Sequence, residues 1–210
     1  MPVTNKITMP LVFHKNIGPC EVMLWRIGES AEELAALCGG ADALYAQRFG
    51  TEKRRREWLA WHAALRATAP DARAEYNAQG APVLTDGRYI SISHAGGFVA
   101  VIISEKHPCG IDIESKVRDF SRVVPRITTE RERRSAMATG YPENEAFAML
   151  WCSKEALYKW AGEERVSFAK EITVTDIDRT TGILRGNVRG RTAELHVFFE
   201  DGLCIGCCWG

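Results

Sequence analysis

The sequence has no long hydrophobic run. Its 210 residues are 46% hydrophobic, yet the apolar stretch Val99 to Ser104 is followed at once by Glu105 and Lys106, far short of the roughly 18 residues a membrane-spanning helix needs. The segment Met1 to Lys15 lacks an apolar core ending in a small-residue cleavage site, so no secretory leader is read and a cytoplasmic location is expected. An even cysteine count is missing too. The seven cysteines (Cys20, Cys38, Cys109, Cys152, Cys204, Cys207 and Cys208) are scattered in a way that does not form a disulfide framework. The run Cys204-Ile-Gly-Cys207-Cys208 has no second ligand pair at zinc spacing. Net charge is also absent, with 27 basic and 27 acidic residues, which removes any global field toward nucleic acid or anionic lipid.

What is present is a chain long enough to bury one large core or two small ones, with charge gathered locally. Arg48, Lys53, Arg54, Arg55 and Arg56 face a single nearby acid, Glu52. Between Lys116 and Arg134 the chain adds Arg118, Arg122, Arg126, Arg131 and Arg133 against Asp119, Glu130 and Glu132. Two basic patches in a neutral protein suit solvated helix faces, and equally a phosphate-bearing ligand and an acidic partner.

Hydrophobic periodicity predicts a strand over Glu21–Ile27 and a helix over Ala31–Cys38 capped by Ser30. A longer helix is predicted over Thr51–Thr68, its arginines near the anion-favouring N-terminal end. Tyr76–Pro82 reads as turn, and Asp86-Gly87 as a hairpin signal. Tyr89–Ser93, Phe98–Ser104 and Cys109–Glu114 read as three strands of one small mid-chain sheet. Helices follow over Arg131–Thr139 and Glu143–Gly162, then strands over Ile172–Asp176, Gly182–Val188, Ala193–Glu200 and Leu203–Trp209. Strands and helices are segregated rather than alternating, which is the α+β class.

Three constellations carry chemistry. In Gly110-Ile111-Asp112-Ile113-Glu114 the period of a strand sets both carboxylates on one face and both isoleucines on the other. Such a pair suits magnesium, a hard cation that bridges carboxylates to phosphates, and it equally suits an ordinary amphipathic strand. On the long helix, the four-residue spacing of Trp151, Glu155 and Lys159 aligns an apolar anchor, an acid and a base on one face, whether toward a cleft or as a surface ion pair. Third, Ser93-His94 precedes the bend Ala95-Gly96-Gly97, where hydroxyl, imidazole and open backbone can meet phosphate oxygens. Adjacent strand residues point to opposite sides, and nothing marks a nucleophile elbow, so a hydrolase triad is a poor fit.

In order, Gly80-x-Pro82, Ser93-His94, Gly110-Ile-Asp-Ile-Glu114 and Trp151-x-x-Lys-Glu155-x-x-x-Lys159 make a set that resembles the 4'-phosphopantetheinyl transferase superfamily. The length resembles its larger, two-lobed type, which activates peptide synthetases and many carrier proteins. Motif coverage runs from about Arg48 to Lys159. The resemblance implies a pseudo-twofold arrangement of two similar lobes, each a small antiparallel sheet packed with helices, divided as 1–104 and 105–210 with coenzyme A in the cleft between them.

It further implies that Asp112, Glu114 and Glu155 bind Mg2+, with Mn2+ as an alternative. Asp112, Glu155 and Lys159 become the catalytic set, and Gly80, Pro82, Ser93, His94 and Lys159 contact coenzyme A. Family members usually carry Gly-Lys-Pro where this chain has Gly80-Ala81-Pro82, so one cation is missing. Arg48 and Arg56 are the candidates to supply charge to the 3'-phosphate. The implied reaction moves 4'-phosphopantetheine from coenzyme A to a serine of an apo acyl or peptidyl carrier protein and releases 3',5'-ADP. An acidic carrier would dock on Lys116–Arg134, and the protein would act as a monomer. The alternatives are a non-catalytic binder of coenzyme A or carrier protein, and a magnesium-dependent phosphoesterase.

Overall fold

The structure, a computed structural model, describes residues 10–178 and 180–210. Met1–Met9, on which much of the reading about a leader rests, lie outside the described residues. Two antiparallel sheets face each other across an apolar layer. The first runs in the order β1 (Leu11–Ile17), β2 (Cys20–Arg26), β6 (Phe98–Ser104), β5 (Tyr89–Ala95). The second runs β7 (Cys109–Ser115), β11 (Leu203–Trp209), β10 (Arg191–Glu200), β9 (Ile183–Val188), β8 (Ile172–Asp178).

Strand alternation explains the layering, because each central strand is apolar on both faces. Val22, Leu24, Ala100 and Ile102 of the first sheet meet Ile111, Ile113, Ile205 and Cys207 of the second. On its other side the first sheet presents Met23, Trp25, Val99, Val101 and Ile103 to α1 (Ala31–Cys38), α2 (Gly40–Ala46) and α3 (Glu52–Thr68). The second sheet turns Leu184, Leu195, Cys204 and Cys208 toward α6 (Glu143–Ala161), near which lie α4 (Val124–Ile127) and α5 (Glu130–Met137). All seven cysteines are buried and free, spread over these layers.

The chain is α+β, and a topological unit repeats within it. In β2–α3–β5–β6 and again in β7–α6–β10–β11, the last strand inserts antiparallel between the first strand and its own hairpin partner. The local signals agree with this. Ser30 and Glu33 form a capping box on α1, and Thr51 caps α3.

Two sequence expectations need correction. Cys109–Ser115 does not extend the mid-chain sheet; it pairs with β11 and becomes an edge strand of the second sheet. Its alternation is the same in either sheet, so the pattern carries no information on the partner. The turn at Asp86-Gly87 does not close a hairpin but leads from β4 (Pro82–Leu84) toward β5; β4 pairs with β3 (Ala74–Tyr76) around Asn77–Gly80. Among the described residues, no helix is long and apolar enough to cross a membrane.

Candidate functional site

The two sheets meet edge to edge where β5 runs beside β7. An exposed sheet edge leaves backbone N–H groups unpaired, and here serine side chains take them. Ser91 Oγ accepts from Ile111 N at 3.2 Å, and Ser93 Oγ accepts from Ile113 N at 3.3 Å. Alternation turns His94 the other way, toward α3. A cleft of about 440 Å3 opens along this seam.

The second-sheet wall of the cleft carries the acids. Asp112 and Glu114 face α6 while Ile111 and Ile113 enter the inter-sheet core, as strand alternation predicts. The helix comes close because Gly110 and Gly206 lie beneath it. A Cβ on Gly110 would overlap the carbonyl oxygen of Ala156, and one on Gly206 would lie 3.0 Å from the Cys152 backbone. Glu155, Lys159 and Trp151 all line the cleft.

Asp112 is the most constrained of these groups. Its Oδ1 accepts from Ser93 Oγ at 2.8 Å and from Lys159 Nζ at 2.8 Å, and Lys159 also donates to Ile111 O at 2.8 Å. Its Oδ2 is buried without a hydrogen-bond partner. Buried carboxylate oxygens are seldom left so, and an orphaned one points to a missing ligand. Glu114 pairs with Arg118, whose guanidinium lies 4.6 Å from the Trp151 ring centroid. Burial raises the Glu114 carboxyl above its ordinary range, partly offset by Arg118. Burial also raises Glu155, and the charge of Asp112 adds to it. Carboxylates that resist ionising together are stabilised by a cation among them.

This donor set therefore fits a hard divalent cation in chemistry: carboxylate oxygens, one unfilled, beside a cleft open to solvent. Among the described residues, however, no three His, Cys, Asp or Glu side chains stand arranged to hold a metal ion. The ammonium of Lys159 and the guanidinium of Arg118 occupy the carboxylates instead.

The first-sheet wall is cationic and aromatic. His94 Nε2 lies 3.1 Å from Arg54 Nη1 and 3.3 Å from Glu57 Oε2. Desolvation lowers the His94 pKa, so the imidazole favours its neutral form. Trp58, Trp61 and Tyr76 line the apolar end, with Trp58 Nε1 donating to Tyr76 Oη at 2.5 Å. Gly80 and Pro82 border the cleft, while Ala81 faces an adjoining cavity of about 310 Å3.

The expected residues thus fall into two groups. Gly80, Pro82, Ser93, His94, Asp112, Glu114, Glu155 and Lys159 share one cleft. Ser93 faces it with its hydroxyl engaged by Asp112 and Ile113, so it holds the carboxylate in place. Arg48 and Arg56 do not line the cleft. Arg48 is exposed with its guanidinium 4.9 Å from the Tyr45 ring, and Arg56 donates to Ile27 O at 3.2 Å beside a neighbouring hollow. The arginine in the cleft is Arg54. Helical spacing could have found it, because Arg54 sits three residues before Glu57 and shares its face.

Lys154, in the same helix motif, has a structural part. It is fully buried and donates to Glu132 Oε1 at 2.9 Å, Phe168 O at 2.8 Å and Ile172 O at 2.6 Å. Glu132 also completes the capping box of α5 through Thr129 and accepts from Val174 N. One ion pair therefore ties α5, α6 and β8 beneath Glu155. Asn144 on the first turn of α6 binds the backbone oxygens of Lys116 and Arg118, each at 2.9 Å, and fixes the loop after β7.

Comparison with known proteins finds two kinds of likeness. Residues 108–208 match the family described as the 4'-phosphopantetheinyl transferase superfamily. The chain is 33% identical over 127 residues to 4'-phosphopantetheinyl transferase AcpT of Salmonella typhi, and equally to that of Salmonella typhimurium. The match covers 58% of this chain and 66% of each relative, just under two thirds of their length. The matched segment, just under half of the chain, contains Asp112, Glu114, Glu155 and Lys159, and through it the chain is similar to the 4'-phosphopantetheinyl transferase superfamily.

Proposed function

We propose that this protein is a cytoplasmic enzyme of the larger, two-lobed type, which transfers the 4'-phosphopantetheine arm of coenzyme A to a serine of an apo acyl or peptidyl carrier protein. In this reading residues 1–104 hold coenzyme A phosphates, and residues 105–210 hold the metal and the reacting groups. The observation that carries it is the orphaned, buried Oδ2 of Asp112, set beside Glu114, Glu155 and Lys159 in a cleft of about 440 Å3.

Asp112, Glu114 and Glu155 would hold Mg2+, or Mn2+ in its place. The ion would supply neutralisation of the pyrophosphate charge, the main requirement of phosphoryl transfer. Lys159, anchored on Ile111 O, turns its charge toward the pyrophosphate, and His94 donates to a phosphate oxygen from the opposite wall. Glu155 takes the proton of the carrier serine. Serine oxygen then bonds to the pantetheine-side phosphorus, the bond from that phosphorus to the bridging oxygen breaks, and 3',5'-ADP leaves.

The carrier surface is proposed on Lys116–Arg134, adjoining the cleft through Glu114. Arg122, Arg126 and Arg131 are exposed there, and Val117 is 91% exposed, giving a cationic patch with an apolar point. Release of 3',5'-ADP tests the reaction. With magnesium and coenzyme A it should appear only when apo carrier is added and should be absent with a carrier whose serine is alanine. Release without any carrier would point to the phosphoesterase, and no release with an authentic apo carrier would point to the binding protein.

A further inference from the structure

The first-sheet wall of the cleft holds an anion of its own. Glu57, on the second turn of α3, places its carboxylate 3.3 Å from His94 Nε2, 3.6 Å from Arg54 Nη1 and 3.8 Å from Lys53 Nζ. Its side chain is only 15% exposed. Glu57 lines both the main cleft and a neighbouring hollow of about 380 Å3 bounded by Lys53, Arg56, His94 and the Gly96-Gly97 turn. Arg56 borders that hollow with a buried Nε that has no hydrogen-bond partner. Cations, an unfilled guanidinium donor and a nearby helix N-terminus are what a phosphate monoester recognises. A carboxylate already stands among them.

Position decides which ligand group meets it. On the transfer reading, the reacting pyrophosphate belongs beside Asp112, Glu155 and Lys159. The remaining phosphate of coenzyme A, on the ribose 3'-oxygen, is the one left to face α3. Resting on that reading, we propose that Glu57 is a specificity-determining residue, an internal carboxylate that competes with the 3'-phosphate for Arg54, His94 and Lys53 and thereby narrows the preference for coenzyme A over 3'-dephospho-coenzyme A.

The balance of charge supports competition rather than exclusion. Lys53 and Arg54 are 86% and 54% exposed, so their pairs with Glu57 are weak and readily exchanged. An arriving dianion can take them over, while the carboxylate that stays nearby repels it. The same position in a neutral form would leave all the cations to the ligand.

Calorimetric titration with coenzyme A and with 3'-dephospho-coenzyme A tests this, using the wild type, Glu57→Gln and, as a control for removing one negative charge from the same helix end, Glu52→Gln. We expect Glu57→Gln to tighten coenzyme A about tenfold, the effect of one close charge repulsion at a partly exposed site. Its effect on the dephospho form should stay under about twofold. Glu52→Gln should leave the ratio of the two affinities in place. Equal shifts for both ligands, no shift for either, or the same gain in the control would overturn the role of Glu57 while leaving the transfer reading intact. If the wild type bound neither ligand, the transfer reading itself would fall, and this inference with it.

Discussion

The two sheets repeat one topology and use it differently. In β2–α3–β5–β6 the helix packs through large rings, with Trp58 and Trp61 set against Met23, Trp25 and Val99, and the underlying strands β2 and β6 contain no glycine. In β7–α6–β10–β11 the helix rests on Gly110 and Gly206, where a methyl group would collide with or crowd its backbone. The close approach is what brings Lys159 onto Asp112 and Glu155 into the same cleft. The polar residues in the two helix cores differ as well. α3 buries a neutral histidine, His62, set between the tilted rings of Trp58 and Trp61, whereas α6 buries a charged pair, Lys154 with Glu132. A repeated architecture therefore does not divide the chemistry evenly, since side chains at equivalent places decide what each half can do.

The sharpest break of this comparison is at the reacting wall. Glu155→Gln should lower transfer turnover by about 10² to 10⁴, the usual worth of general-base help, with thermal stability retained. Near-normal turnover would remove Glu155 from that role.

Next is the buried pair. Lys154→Met would leave Glu132 charged and unpaired in the core, which typically costs about 3 to 5 kcal/mol. Urea unfolding should show that loss, and Lys154→Met with Glu132→Gln should recover part of it. An unchanged midpoint would mean that α6 is held by its apolar contacts alone.

The histidine on the other side titrates. Burial lowers the His62 pKa from 6.5 to about 4. The unfolded chain therefore binds a proton in that window while the folded chain does not, so stability is full above pH 6.5 and falls as pH drops toward 4. The loss is about 3 kcal/mol, at roughly 1.4 kcal/mol per pKa unit. Comparing unfolding free energies of wild type and His62→Gln at pH 7 and pH 4 should show a shallower slope in the variant.

The smallest effect concerns grip. Arg54→Ala should raise the KM for coenzyme A about tenfold, the order of one charge-assisted contact, with kcat little altered. A fall in kcat at unchanged KM would place Arg54 with the reacting groups instead.

Much of this was legible in the sequence, for identifiable reasons. Caps and periodicity located α1, α3, α6 and most strands, and alternation correctly set Asp112 and Glu114 opposite Ile111 and Ile113. Strand partners were not legible, because the pattern of Cys109–Ser115 suits either sheet. The site's acids could be read from motif order. Lys159 could be read the same way, but the cleft arginine could not, since neighbouring arginines at 54, 55 and 56 point around the helix and only packing decides which reaches the cleft. β1 and the short α2 also escaped, being weakly patterned; Leu11–Ile17 is only partly buried at the sheet edge. Lys154 reads as one more surface lysine until the fold closes over it.

The most direct test is the intact mass of a purified apo carrier protein after incubation with this protein, coenzyme A and magnesium. The carrier should gain one phosphopantetheine unit on its serine, and Asp112→Asn should abolish the gain. A carrier of unchanged mass, with coenzyme A either intact or cleaved, would contradict the transfer reading.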